Sequence, residues 1–147
     1  MKNMKILTTA VLCLLLSFSM GATAMAESIT SPDGQLKLDF SVNVQGEPVY
    51  ELTYKGKGVI KPSKLGLELK NDPGLMNGFA CIDTKTSTFD ETWEPVWGEV
   101  KSIRNHYNEM AVHLTDTKET LLTLRFRVFN DGIGFRYEYQ VPDADSL

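Results

Sequence analysis

Apolar and polar residues alternate one by one along most of this chain. Between Leu36 and Val44, five apolar side chains are separated by single polar ones, and this period of two predicts a strand with one buried face. The same pattern predicts further strands at residues 49–54, 65–69, 79–86, 110–114, 122–128 and 134–141, with a short one at 59–60. No stretch repeats its apolar residues every 3.6 positions, so no helix is predicted.

Turn-forming residues separate these segments, as in residues 31–34 (SPDG), 71–74 (NDPG) and 130–132 (NDG). Strands at short spacing joined by such turns predict an all-β fold, here an antiparallel β-sandwich. The last predicted hairpin ends at Val141, and the residues after it add no further pattern. We therefore expect residues 27–147 to form one domain, and we expect that domain to be incomplete.

The N-terminus has the features of a secretory signal peptide. Lys2 and Lys5 precede an apolar run at residues 6–20, and Ala24 and Ala26 flank a single residue, as in a cleavage site. We expect residues 1–26 to be removed and the mature chain to begin near Glu27. The apolar run is short for a membrane span. The sequence therefore predicts an exported protein, periplasmic or secreted, with no membrane span after cleavage.

Charge and cysteine usage exclude several classes of function. The signal removes two of the 15 basic residues and none of the 19 acidic ones, so the mature net charge is −6. An acidic domain is a poor candidate for binding nucleic acid or an anionic membrane. Cys13 leaves with the signal, and Cys81 alone cannot form a disulfide within the mature chain.

Residues 90–109 are the richest in candidate chemistry, because they contain both tryptophans, five carboxylates and an Arg-Asn-His run. An indole can cover the apolar face of a pyranose, while carboxylate, amide and guanidinium groups bind its hydroxyls. This stretch therefore supplies the predicted substrate-binding residues, which are Trp93, Trp97, Glu99, Arg104, Asn105 and His106. A strand–turn–strand with two core tryptophans and solvated acids would have the same composition, so that alternative stays open.

No catalytic or metal site follows from these residues alone. Glycoside hydrolysis needs two carboxyl groups on opposite sides of the sugar, and Glu91, Glu94 and Glu99 share one short stretch. The two histidines lack the spacing of zinc ligands. Calcium could use Glu91 or Glu99, although no loop motif indicates this and the metal ligands remain unknown.

Arginines in and beyond this stretch have a simpler interpretation. Arg104 could pair with Glu99 or Glu109 rather than bind a ligand, and His106 could be an ordinary histidine at a sheet edge. Arg125 and Arg127 lie on the polar face of a predicted strand. We expect them to be solvated or to form cross-strand ion pairs with Glu138.

Several motifs resemble the opening of glycoside hydrolase family 97. They lie at residues 31–34, 46–50, 62–67, 90–99, 103–109 and 126–137, where the last reads FRVFNDGIGFRY. The resemblance covers essentially the whole mature chain. It implies an exported enzyme that hydrolyses α-glucosides or α-galactosides, with an N-terminal β-super-sandwich, a (β/α)8 barrel carrying the catalytic residues, and a C-terminal β-domain. It also implies calcium in the active site of the α-glucosidase members.

By this resemblance, residues 27–147 are part of the N-terminal, non-catalytic domain, which would bind carbohydrate or shape the pocket. Its partners would be an oligosaccharide substrate and the downstream barrel, and all catalytic residues would lie beyond this chain. The alternative is a stand-alone secreted β-sandwich that binds glycans or is purely structural, without catalytic activity. The choice between α-glucosides and α-galactosides, and between retention and inversion, stays open.

Overall fold

The computed structural model describes residues 26–70 and 74–139, and there it is all-β, as predicted. The predicted signal peptide lies outside the described residues, except for Ala26, which begins the first strand. Within the described residues, no helix is long and apolar enough to cross a membrane. The strands are β1 (Ala26–Thr30), β2 (Leu36–Val42), β3 (Pro48–Tyr54), β4 (Lys57–Lys64), β5 (Ala80–Trp93), β6 (Ile103–Thr115), β7 (Leu121–Val128) and β8 (Ile133–Tyr139).

The strands form two four-stranded sheets, ordered β1-β2-β3-β4 and β5-β6-β7-β8, and every neighbouring pair is antiparallel. Each sheet is thus a meander in which consecutive strands are joined by turns or, between β5 and β6, by a longer loop. The β3–β4 turn contains Lys55 at φ 50° and Gly56 at φ 75°, and two successive positive φ angles give a turn that matches the twist of a hairpin. The predicted antiparallel β-sandwich is confirmed.

The core lies between the two sheets and is built from the alternating apolar residues of β2, β6 and β7. Phe40 of β2 and Phe126 of β7 meet at its centre, with their ring centroids 5.7 Å apart. The fully buried side chains around them are mainly aliphatic: Leu38, Met110, Val112, Leu114, Leu122, Leu124 and Val128. The sheets are also joined by a hydrogen bond from Asn108 Nδ2 to the carbonyl of Thr30, 2.8 Å long.

Two details of the strand prediction are wrong. The first predicted strand, observed as β2, ends at Val42, and Val44 is exposed, because the Asn43 side chain accepts hydrogen bonds from the amides of Gln45 and Glu47 and closes a turn. Residues 65–69 do not form a strand, although Leu67 makes an isolated bridge with Leu75. The turn predicted at residues 71–74 lies mostly outside the described residues.

Other strands differ in length from those predicted. The weak strand predicted at residues 79–86 becomes the 14-residue β5, and the short one at 59–60 becomes the eight-residue β4. Three alternate positions in the middle of β5 are threonines, Thr84, Thr86 and Thr88, and β-branched residues favour extended backbone. The end of the strand predicted at 134–141 lies outside the described residues, which end with β8 at Tyr139.

Candidate functional site

A long hairpin projects from the second sheet and carries all six predicted binding residues. β7 pairs with β6 only as far as the pair Asn108–Val128, while β5 and β6 stay paired for five more positions, from Phe89–Tyr107 to Trp93–Ile103. We call residues 89–107 the arm and its loop, residues 94–102, the tip. At 3.4 Å per residue, these five further pairs extend the ribbon about 17 Å beyond the last three-stranded part of the sheet.

The two faces of the arm carry different side chains. Alternate residues of a strand point to opposite faces, and Met110, Val112 and Leu114 of β6 are buried in the core. Even-numbered residues of β6 therefore lie on the inner face, which continues the core side, and odd-numbered residues lie on the outer face.

The six predicted residues therefore do not form one site. Arg104 and His106 lie on the inner face, Trp93 and Asn105 lie on the outer face, and Trp97 and Glu99 lie in the tip. One sugar ring cannot contact both faces of a strand pair, so only some of these residues can act together.

On the inner face, Arg104 is held by Asp90 of the facing strand. Its Nε donates to Asp90 Oδ1 at 2.8 Å and its Nη2 to Oδ2 at 2.7 Å. The expectation that Arg104 pairs with Glu99 or Glu109 is wrong, because the register places Asp90 diagonally opposite Arg104. His106 Nε2 lies 4.0 Å from Asp90 Oδ2.

This pairing fixes the charge and the orientation of the inner face. The hydrogen bond from Arg104 lowers the pKa of Asp90, and the same bond raises the pKa of Arg104. Two of the three guanidinium nitrogens donate hydrogen bonds to Asp90, and Nη1 can still donate to a ligand. The fixed guanidinium beside a half-buried imidazole can therefore bind a hydroxyl or a carboxylate at low entropic cost.

Both tryptophans are exposed: Trp93 keeps 49% of its surface and Trp97 keeps 89%. The alternative that they form a core is therefore wrong. Pro95 lies in the loop between β5 and β6. A proline cannot donate to a strand ladder, so β5 ends before it and the second indole leaves the sheet.

Aromatic residues that the sequence analysis did not single out line the base of the outer face. Phe89 stacks on Tyr107 with centroids 5.2 Å apart, and Phe129 packs on Tyr107 at the same distance. The Arg127 guanidinium lies over the Tyr107 ring, 4.6 Å from its centroid. The period of two would have placed Phe89 and Trp93 on one face, so the sequence did contain a signal for this cluster.

The outer face of β6, β7 and β8 carries a connected set of ion pairs. Arg125 bonds Glu138 at 2.7 and 3.1 Å and Glu109 at 2.6 Å. The predicted pair of Arg125 with Glu138 is therefore confirmed. Arg127 instead pairs with Glu109, 2.7 Å away, because Glu109 is its direct cross-strand neighbour.

These carboxylates are poor candidates for a general acid, which needs a raised pKa. The hydrogen bond from Arg125 lowers the pKa of Glu138 to about 2. Burial acts to raise the pKa of Glu109, but the hydrogen bonds from Arg127 and Arg125 outweigh it and the net shift is downward. Both groups therefore stay ionised and act as structural partners of the arginines.

The described residues offer no grouped metal ligands. Across residues 26–70 and 74–139, no three His, Cys, Asp or Glu side chains come close enough together to hold an ion. Asp90, Glu109 and Glu138 are already bound to arginines. The acidic and histidine side chains of this part of the chain therefore do not by themselves form a calcium site.

The known proteins that this chain resembles agree with one another. The model of the family described as Glycosyl-hydrolase 97 N-terminal matches residues 29–146. A retaining alpha-galactosidase of Bacteroides thetaiotaomicron is 28% identical over 137 residues, which is 93% of this chain and 20% of that protein. The chain thus spans about a fifth of the length of this relative.

Solved structures agree with the fold. A glycoside hydrolase family 97 enzyme from Pseudoalteromonas sp. strain K8, solved with panose and with acarbose, superposes with a TM-score of 0.74 at 30% identity. The match covers 80% of this chain and 18% of that one. A beta-arabinopyranosidase has the same fold, with a TM-score of 0.68 at 23% identity. Because the family model covers most of the sequence, this chain belongs to the N-terminal domain family of glycoside hydrolase family 97.

Proposed function

We propose that this chain is the non-catalytic N-terminal part of an exported enzyme that hydrolyses α-glucosides or α-galactosides. The observation that carries the proposal is the match of residues 29–146 to the N-terminal family model, together with coverage of only 18–20% of the matched relatives. One relative is named an alpha-galactosidase, and another was solved with panose and acarbose. Reaction and substrate would therefore be supplied by a downstream barrel.

We further propose that the arm lies at the rim of the catalytic pocket and contacts the oligosaccharide. A sugar on the inner face would meet Arg104 and His106, and a sugar on the outer face would meet Trp93 and Asn105. The inner face is favoured, because Asp90 already orients the guanidinium and a preorganised donor loses less entropy on binding. Trp97 and Glu99 lie in the tip, so they would contact the sugar only if the tip itself extends into the pocket.

Substitution of Arg104 in the full-length enzyme tests this role. Arg104→Gln is expected to lower kcat/KM about tenfold, a loss of about 1.4 kcal/mol in transition-state binding. The melting temperature should stay unchanged, because the side chain is 60% exposed. Arg136→Gln is a matched control, since Arg136 is 61% exposed and also bonds a carboxylate. Equal kcat/KM values for both variants would show that the inner face is not at the pocket.

The other predicted residues can be tested in the same assay. The melting temperature and kcat/KM would be measured for four variants: Trp93→Ala, Trp97→Ala, Glu99→Gln and Asn105→Ala. A residue that contacts substrate lowers kcat/KM without lowering the melting temperature. If every variant keeps its kcat/KM, the arm does not contact the sugar.

Calcium and localisation complete the proposal. We propose that the full-length enzyme uses calcium, by its resemblance to the α-glucosidase branch, with ligands outside the described residues. Export to the periplasm or beyond is proposed from the signal-like residues 1–26. The exposure of Trp93 and Trp97 also favours a second candidate, a stand-alone glycan-binding module. Glycan binding by the isolated chain, lost in Trp93→Ala, would support that candidate.

A further inference from the structure

A cleft on the outer face of the second sheet lies away from the arm. Its volume is about 520 Å³, and small-molecule sites commonly measure about 300–1,000 Å³. The cleft crosses β5 at residue 83, whereas the arm begins at residue 89, about 20 Å further along the strand at 3.4 Å per residue. We call it the outer cleft, and its polar floor is a row of cross-strand neighbours: Asp83, His113, Thr123 and Glu138.

A β-bulge places Asp83 in this row. Cys81 pairs with Leu114, which is buried in the core. The next pair is Asp83 with His113, so Ile82 is an extra residue in β5. In a regular strand, Asp83 would share the inner face with Cys81, but the bulge turns it to the outer face. Bulges are common next to functional sites, where they redirect a side chain.

The floor presents an imidazole nitrogen and a carboxylate that can both bind a ligand. His113 Nδ1 lies 2.9 Å from Thr123 Oγ1, and this hydrogen bond orients the ring. Within the part of the chain that the structure describes, Nε2 has no hydrogen-bond partner and is not sealed from solvent. The neighbouring Asp83 side chain is 51% exposed, and its Oδ2 lies 3.7 Å from Lys85 Nζ, which is longer than a hydrogen bond. Both groups are therefore available to hydroxyls.

The walls of the outer cleft are apolar. Ile82, Leu121 and Tyr139 line it, and each keeps a large part of its surface exposed. A pyranose has an apolar C–H face and a rim of hydroxyls, so it needs an apolar wall beside hydrogen-bonding groups. The outer cleft combines these two features within a single cavity.

The charges of the cleft favour a neutral ligand. Asp83 lies near Lys85, and Glu138 accepts hydrogen bonds from Arg125 and Arg136. Because each carboxylate has a basic neighbour, their fields largely cancel and an ionic ligand would gain little. Across residues 26–70 and 74–139, no group of His, Cys, Asp and Glu side chains could hold a metal ion. A neutral, hydroxyl-rich ring therefore suits the cleft best.

We infer that the outer cleft binds one pyranose ring of a neutral glycan, with His113 Nε2 and the Asp83 carboxylate on its hydroxyls and Ile82 against its apolar face. Every residue of the site belongs to this chain, so the inference does not rest on the proposed function. A single ring should bind weakly, with a dissociation constant of about 1–10 mM, because a small ligand in an open cleft makes few contacts.

Chemical protection of His113 tests the inference. Diethyl pyrocarbonate acylates accessible imidazoles, and peptide mass spectrometry separates His113 from His106 of the arm. The 147-residue chain would be treated with methyl α-glucopyranoside, methyl α-galactopyranoside or no ligand. At about ten times the dissociation constant, roughly a tenth of the sites stay free, so at least one pyranoside should slow the modification of His113 about tenfold. Sorbitol, a linear polyol without a ring face, should not.

Two aspartates provide a matched pair of variants. Asp83 and Asp39 each lie on the outer face of a sheet and each pair with a lysine two residues away. Asp83→Asn should raise the sugar concentration that half-protects His113 about fivefold or more, because a charge-assisted hydrogen bond is lost. Asp39→Asn should leave that concentration unchanged. An equal effect of both substitutions would contradict a role for the cleft.

Other results of this experiment would also overturn the inference. One is that neither pyranoside protects His113, and another is that sorbitol protects it equally well. Protection of His106 alone would assign the sugar to the arm, which would support the proposed function and exclude the cleft. In the full-length enzyme, His113 should still react and still be protected by the same pyranoside. Failure to react there would show that another part of the protein covers the cleft.

Discussion

Replacing Trp97 by alanine in the isolated chain should hardly change the free energy of unfolding, although tryptophan is its largest residue type. A fully buried Trp or Phe replaced by Ala costs about 3–5 kcal/mol. Trp97 is 89% exposed, so only about a tenth of its surface is covered. Scaling by that fraction gives a loss of about 0.3–0.5 kcal/mol.

Phe126→Ala provides the contrast. Phe126 is 0% exposed, and its ring lies 5.7 Å from Phe40, 6.4 Å from Tyr50 and 6.0 Å from Phe135, measured between centroids. Because these rings pack directly around Phe126, its removal leaves a cavity in the core, and a loss of about 3–5 kcal/mol is expected. Phe126→Leu, which keeps more of the volume, should cost about 1–3 kcal/mol and remain folded if the alanine variant does not.

Urea unfolding followed by far-ultraviolet circular dichroism measures both losses, since this signal does not depend on the tryptophans. With a slope of about 2 kcal/mol per molar urea, Trp97→Ala should shift the midpoint by about 0.2 M and Phe126→Ala by about 2 M. An unchanged slope identifies the shift as a change in stability. A midpoint loss for Trp97→Ala as large as that for Phe126→Ala would refute the exposed tip.

Three further outcomes are expected for the isolated chain. Folding lowers the pKa of Glu138 from 4.5 to about 2, so the ionised Glu138 stabilises the fold above about pH 4.5 and this stabilisation is lost towards pH 2. Glu138→Gln should therefore cost about 1 kcal/mol or less of unfolding free energy at pH 7 and nothing at pH 2, as measured by urea unfolding. Calcium should leave the melting temperature unchanged, because residues 26–70 and 74–139 contain no grouped ligands; a clear rise would reveal a site. β8 is the outermost described strand of its sheet and exposes Tyr139, so the chain should self-associate through this edge. Tyr139→Lys should lower the average mass of the particles measured by sedimentation, and an unchanged mass would count against edge pairing.

The central strands β2, β6 and β7 could be predicted from the sequence because one face of each is buried. In β2 and β7 every second residue is apolar and buried, so the period of two predicted both the strands and their inward faces. The strand predicted to reach Val44 ended early, because the Asn43 side chain binds two backbone amides. The alternation of apolar and polar residues does not reveal such local capping of a turn.

The arrangement of the candidate site was less predictable, since it depends on register. Arg104 pairs with Asp90, 14 residues away, only because β5 and β6 align in one register. A sequence places these residues in one stretch but does not assign them to faces until that register is known. Exposure of Trp97 likewise depends on a hairpin extending past its neighbouring strands, which composition does not encode.

We propose, as the central claim, that this chain belongs to a larger glycosidase and does not itself catalyse the reaction. Hydrolysis of nitrophenyl α-glucoside and nitrophenyl α-galactoside should be measured for the full-length protein and for residues 27–147 side by side. We predict turnover of at least one substrate by the full-length protein and none by the shorter chain, because arginine partners lower the pKa of Asp90, Glu109 and Glu138 and so disfavour them as general acids. Turnover by residues 27–147 that Glu99→Gln abolishes, or none by the full-length protein, would contradict the claim.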